Sequence, residues 1–448
     1  MSQVLPDGSQ QPPLLQLLEW IANPFGYMER SAQRYGDPFT AELRQSNPLV
    51  FFSHPQAIQA IFTAAPDTFD AGRANGLIRP LVGDNSLLLL DGDRHAFQRH
   101  LMMPPFHGER MRSYGEIICQ IAEQVASKWI PGQPFRARDA MQEITLQVIL
   151  HAVFGLADGD RYQQLKPLLA SLLNLTGSRL GSSLLFLDVL QKDWGSWSPW
   201  GRFKKRHQEM TTLLSAEIAE RRAQVDPTAT DILTLLIAAR DEQGQGMSDE
   251  ELRDELITLL AAGHETTATT LAWAFYWIHK LPAVQEKLLQ ELASLGDNPS
   301  PMEISRLPYL NAVCSETLRI YPVTPIVSPR ILKVPIEIMG YLFEPETMLA
   351  PCIYLTHQRE DIYPEPQQFK PERFLERQFS PYEYLPFGGG NRRCIGFALA
   401  LFEMKLVLAT VLSRYQLALV DKRPVQPVRR GVTIAPQGGV QMVITSKR

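Results

Sequence analysis

The chain has 448 residues, 45% hydrophobic and 21% charged, with 28 glycines and 34 prolines, proportions that exclude a disordered, collagen-like or low-complexity protein. Its formal net charge of −4, with Lys and Arg scattered rather than gathered in tracts, leaves no electrostatic footprint for a nucleic-acid partner. The four cysteines, Cys119, Cys314, Cys352 and Cys394, form no CxxC pair, which disfavours a disulfide framework, a zinc site or an iron–sulfur cluster and fits a cytoplasmic, reducing setting.

At the N-terminus no basic segment precedes an apolar run long enough for a signal peptide or membrane span, and Leu14 to Ile21 makes only one or two helical turns. Pro38 to Leu43 and Leu49 to Ser53 alternate in polarity and predict a strand pair. The pattern then turns helical. Apolar residues recur at spacings of three and four over Glu109 to Trp129, Ala140 to Phe154, Phe203 to Arg222 and Asp231 to Arg240. The segment Leu184 to Trp200 carries an apolar run and Trp194, Trp197 and Trp200; it reads either as a membrane-touching loop or as packed loop aromatics.

Ser248 followed by Glu251 is a capping-box signature, and the helical period continues from there to about Lys280, roughly nine turns. Beyond Pro322 the chain breaks into short strands marked by Pro and Gly. A helix is predicted from about Cys394 to Ser413, and Val432 to Ile444, with Pro436-Gln437-Gly438-Gly439 inside it, reads as a hairpin. No linker, charge run or repeat divides residues 1–448, so one large domain is expected, mainly α with small dispersed β-sheets.

The most specific segment is Phe387-Gly388-Gly389-Gly390-Asn391-Arg392-Arg393-Cys394-Ile395-Gly396. Its glycines let backbone approach a flat ligand, and successive amides with a helix N-terminus can stabilise a sulfur anion. Chance supplies the spacing Phe-x-x-Gly-x-Arg-x-Cys-x-Gly at roughly one start position in a million at average residue usage. Here the chain resembles the cytochrome P450 superfamily, in which this cysteine is the proximal haem ligand.

Three further motifs extend the resemblance in order. Glu316-Thr317-Leu318-Arg319 matches the Glu-x-x-Arg of the family, and Phe369-Lys370-Pro371-Glu372-Arg373-Phe374 matches its Pro-Glu-Arg-Phe. Alone, an acid and a base at i, i+3 would be an ordinary surface pair; the resemblance implies that Glu316, Arg319 and Arg373 form a network fixing the Cys394 loop. Ala261-Ala262-Gly263-His264-Glu265-Thr266-Thr267 resembles the oxygen-activation motif, predicting a distorted turn with a free carbonyl. By resemblance Thr266 steadies oxygen in the pocket and Glu265 relays protons for its cleavage, while His264 occupies a variable position and is not a metal ligand.

The resemblance further implies a triangular body around a buried haem b. Phe387, Gly388 and Gly396 belong to its cradle, and His95, Arg99, Arg330 and Arg392 meet its carboxylates. The other cysteines are expected to be buried thiols without chemistry. Leu77, Ile78, Leu87, Ala262, Val323, Ile326, Val327 and Val432 match substrate-facing positions; being apolar, they imply a fatty acid or terpenoid.

The implied reaction is monooxygenation with O2, by a monomer drawing electrons indirectly from NAD(P)H through a ferredoxin or flavodoxin and its reductase, docked near Arg392, Arg393 and Lys405. Two alternatives are a haem-thiolate isomerase or dehydratase acting on a hydroperoxide, and a non-catalytic haem sensor. The Glu265-Thr266 pair disfavours the first, and the lack of a signalling module disfavours the second.

Overall fold

The computed structural model describes residues 5–43, 47–106, 110–156, 159–177, 191–195, 197–224 and 231–448. The helices that position the site are α1 (Gly92–Met102), α2 (Ala137–Phe154), α3 (Asp249–Lys280), α4 (Pro308–Ile320) and α5 (Phe397–Arg414). The strands referred to below are short: β1 (Phe39–Ala41), β2 (Leu49–Phe52), β3 (Phe69–Asp70), β4 (Phe135–Arg136), β5 (Arg330–Leu332), β6 (Met348–Pro351), β7 (Tyr415–Leu419), β8 (Pro427–Arg430), β9 (Thr433–Pro436) and β10 (Gln441–Lys447).

β1 and β2 pair antiparallel with Phe39 opposite Phe51, as the alternation in that segment predicts. They extend into a five-stranded sheet ordered β1-β2-β6-β5-β3, in which β2 and β6 run parallel. All four residues of β2 are buried, so this strand is covered on both faces.

The long helix α3 starts where its sequence signals it. Ser248 Oγ accepts from the Glu251 amide at 3.2 Å and the Glu251 carboxylate accepts from the Ser248 amide at 2.9 Å, which satisfies two donors that would otherwise be orphaned at the helix end. Buried residues lie nearly all round α3, the pattern of a helix running through a core rather than over it. It packs most extensively against α2. A Cβ on Gly263 would sit 2.9 Å from Ile149 Cδ1 on α2, so this glycine is required for the close approach of the two helices.

Three expectations are corrected. The distorted turn around Gly263 does not form, since α3 is unbroken there, and the Ala262 carbonyl is not free but takes the Thr266 hydroxyl at 2.6 Å. The helix after the cysteine begins at Phe397 rather than at about Cys394, since Ile395 and Gly396 first make a turn. Val432 to Ile444 is not a hairpin: β9 pairs with β8, while β10 pairs with β4 and β7. Gly438 and Gly439, at φ of +74° and +77°, redirect the chain from one sheet to the next instead of folding it back on itself.

Candidate functional site

The glycine loop is shaped by contacts that tolerate no side chain. Gly388 and Gly390 have φ of +66° and +63°, and a Cβ on Gly389 would lie 2.2 Å from the Phe62 ring. The Cys394 amide donates to the Phe387 carbonyl at 3.0 Å, closing the loop, and the Gly396 amide hydrogen-bonds the sulfur. Cys394 is solvent-accessible, yet enough protein surrounds it that burial pushes its thiol upward, against the Gly396 amide, Arg99 and Arg393. Desolvation is the largest of these influences on the thiol. Among the described residues no group of three or more His, Cys, Asp and Glu side chains is placed to hold a metal ion.

Beside the loop lies a cavity lined by His95, Arg99, Arg330 and Arg392. Arg330 is buried; it donates to the Ile61 carbonyl at 2.8 Å and the Gly389 carbonyl at 3.1 Å, leaving Nε without a partner. Burial, then the charge of Arg392, pulls its pKa down to about 10. Arg392 turns inward to Asp91 at 2.5 Å and to the Leu90 carbonyl. His95 is held neutral, its pKa lowered to about 4 by burial and then by Arg392 and Arg99. Three arginines and an unspent buried guanidinium donor around one cavity suit a planar group with carboxylates, so these residues fit a haem.

On α3, Ala262 is exposed although the helix around it is mostly buried, and Thr266, one turn on, is half-buried. That break in burial opens a polar hydroxyl beside an apolar wall. Glu265 points elsewhere. Its carboxylate pairs with Arg138 on α2 and accepts from Gln142 Nε2 at 2.7 Å. Neither partner was foreseen from sequence, since each lies more than a hundred positions away. His264 is buried, its ring 2.7 Å from Thr145 Oγ1, and burial followed by the charge of Arg138 lowers its pKa to about 3.

Glu316 and Arg319 on α4 are fully buried and joined by two bonds of 2.6 and 2.9 Å. Glu316 also accepts from the Lys370 amide at 2.8 Å and Arg373 Nε at 3.2 Å. Arg319 donates to the His357 carbonyl at 2.7 Å and the Pro366 carbonyl at 2.8 Å. His357, which no motif points to, carries the connection onward. Its Nε2 accepts from the Leu385 amide at 3.1 Å, which leaves Nδ1–H to donate to the Arg319 carbonyl in the neutral ring that burial enforces. Leu385 stands two residues before Phe387, so the network reaches the cysteine loop.

Of the apolar positions, Val327 lies against Gly388, Val323 receives the Ile434 amide on its carbonyl at 2.8 Å, and Leu87 is buried on the loop before α1. Leu77, Ile78 and Ile326 are half-buried, and Val432 is exposed at the turn joining β8 to β9. The expected basic docking face is corrected: Arg392 points inward and Lys405 donates to the Ser305 carbonyl at 2.9 Å, leaving only Arg393 exposed, stacked over Phe397. Cys314 and Cys352 are buried thiols, whereas Cys119 is half-buried. Leu184 to Leu187 lie outside the described residues; Trp194 and Trp197 are exposed and stack on each other.

The family model for cytochrome P450 matches residues 6–442. The chain belongs to the cytochrome P450 family. It is 37% identical over 449 residues to "Putative cytochrome P450 135B1" of Mycobacterium tuberculosis, covering 100% of this chain and 93% of that one. It is 33% identical to "Putative cytochrome P450 138" of the same species, covering 98% and 96%. Among solved structures it is similar to a cyanobacterial CYP120A1 with retinoic acid bound, at a TM-score of 0.86, 24% identity and full coverage of both chains. It is likewise similar to the haem domain of cytochrome P450DA, at 0.84 and 23%, covering 99% and 98%. The fold is thus that of a P450, and the chain is a haem-dependent monooxygenase, an oxidoreductase that uses O2 and reductase-supplied electrons. No helix among the described residues is long and apolar enough to cross a membrane.

Proposed function

We propose that this P450 inserts one atom of O2 into a C–H or C=C bond of a long lipophilic substrate, a fatty acid or terpenoid. The observation that carries the reading is the opening at Ala262 and Thr266 on a mostly buried helix, in a chain whose other matched pocket positions, Leu87, Val323 and Val327 among them, are apolar. Such a wall rewards apolar area and offers few polar groups to orient a hydrophilic substrate. The CYP120A1 structure holds retinoic acid, a ligand of this chemical class.

Haem, bound through Cys394 with His95, Arg99, Arg330 and Arg392 about its carboxylates, supplies the redox chemistry that activates O2. The chain contributes position and protons. Glu316, Arg319, Arg373 and His357 hold the cysteine loop. Thr266 Oγ donates to the Ala262 carbonyl, so its lone pairs face the pocket as acceptors for a water or an incoming hydroxyl. Proton delivery through Glu265 requires its carboxyl to leave Arg138 and Gln142 and rotate toward Thr266, which makes the Arg138 pair a brake on proton entry. Electrons come from NAD(P)H through a ferredoxin or flavodoxin and its reductase.

The test is turnover with an added ferredoxin and reductase under 18O2, after screening fatty acids and terpenoids for a shift of the haem absorption band. One labelled oxygen per product supports the reading; a product formed without O2 consumption overturns it.

A further inference from the structure

The segment 83–91 between two helices is tied down on every side by polar groups that no motif marks. On α3, Asp254 accepts from the Asn85 amide at 3.1 Å and from Asn85 Nδ2 at 3.0 Å. Glu255 Oε1 accepts from the Leu87 amide at 2.6 Å, and Thr258 Oγ1 lies 2.7 Å from Ser86 Oγ. Asp254, Glu255 and Thr258 span little more than one turn, so one short stretch of α3 engages three successive residues of the segment. Contact is tight, since a Cβ on Gly83 would lie 2.4 Å from Asp254 Cγ.

On its other side the same segment holds the cofactor cavity. The Leu87 and Leu90 carbonyls accept from Arg392 at 3.3 and 2.5 Å. Asp91 accepts from that guanidinium and from the Gly72 amide at 2.8 Å. Leu87 therefore carries both connections, its amide bound to α3 and its carbonyl to Arg392. Arg392 in turn follows the glycine loop, two residues before Cys394.

We propose that Glu255, with Asp254 and Thr258 beside it, is a positioning residue: it straps segment 83–91 to the oxygen helix, and through Leu87 sets both the wall of the substrate pocket and the placement of Arg392 at the cofactor cavity. Glu255 is wholly buried and its Oε2 has no partner. Burial pushes its pKa well above the carboxylate range, and a glutamine keeps an acceptor at this position in nearly the same volume. Loss of the acceptor strands a buried amide, the costly way to break a hydrogen bond.

The inference rests on the haem-thiolate reading of Cys394, and the experiment separates the two. Holoprotein carrying Glu255→Gln or Glu255→Leu is compared with wild type by haem transfer to excess apomyoglobin and by carbon monoxide rebinding after flash photolysis. Glu255→Leu should lose haem about tenfold faster and rebind carbon monoxide faster, while Glu255→Gln stays within about twofold of wild type. Equal rates in all three proteins, or equal changes in the two variants, overturn the strap. If Glu255→Leu does not fold, Asn85→Ala, which frees the segment from its own side, must shift both rates in the same direction, and unchanged rates there overturn it too. A wild-type protein without the red-shifted carbon monoxide band would instead refute the thiolate reading itself.

Discussion

Replacing Arg319 by Met tests how strongly the buried network holds the cysteine loop. The side chain is fully buried and donates five bonds: two to Glu316, one to the His357 carbonyl at 2.7 Å, one to the Pro366 carbonyl at 2.8 Å and a longer one to the Gln368 carbonyl at 3.3 Å. Methionine fills part of the volume but leaves Glu316 buried with only the Lys370 amide and Arg373. Removing one partner from a buried pair costs about 3–5 kcal/mol. For a chain of this length the entropy of unfolding is roughly 0.9 kcal/mol per kelvin, so the melting temperature should fall by about 3–5 °C. Arg319→Lys keeps the charge, loses the planar fork and should fall between Met and wild type. Thermal unfolding followed by circular dichroism, beside haem occupancy from the Soret band, measures both effects. A Met variant that melts within about 1 °C of wild type and keeps full haem would refute the argument.

Cys394→Ser should abolish the red-shifted carbon monoxide band of the ferrous protein; its persistence would reassign the iron ligand. Thr266→Ala should lower product formed per O2 consumed, and unchanged coupling, measured by oxygen electrode and product analysis, would leave Thr266 only its structural bond to the Ala262 carbonyl. Arg138→Met breaks a buried pair and should destabilise by about 3–5 kcal/mol in denaturant titration, whereas replacing Glu265 by Leu in the same protein should recover part of the loss; no recovery would show that the two side chains do not act as a pair. Glu403 is buried with an unpartnered oxygen, and burial raises its pKa well above the usual carboxylate range. The folded state then keeps a proton that the unfolded chain releases, so stability is full below the unfolded value and is lost as pH rises toward the folded one. Glu403→Gln, neutral throughout, should therefore gain on wild type as pH rises above the ordinary carboxylate range, by up to about 1.4 kcal/mol per pH unit; parallel pH curves would refute this.

What the sequence determined by itself is local. The capping box at Ser248, the alternation that makes β1 and β2, and the glycines around Cys394 are all constraints within ten residues, where backbone dihedrals and short spacings decide the outcome. The same locality explains the errors. Pro436 to Gly439 looks like a hairpin turn because turn chemistry says where a chain bends, but not which strand it meets afterwards. Arg392 and Lys405 look like a docking face because a basic residue in isolation is most stable in water. Only the tertiary structure brought Asp91 and the Leu90 carbonyl to Arg392, Arg138 to Glu265, and Asn85 to Asp254, partners separated by more than a hundred positions. It also decided the sign of the pressure on the Cys394 thiol. Desolvation sums over every atom packed around the sulfur, and those atoms come from segments far apart in the chain.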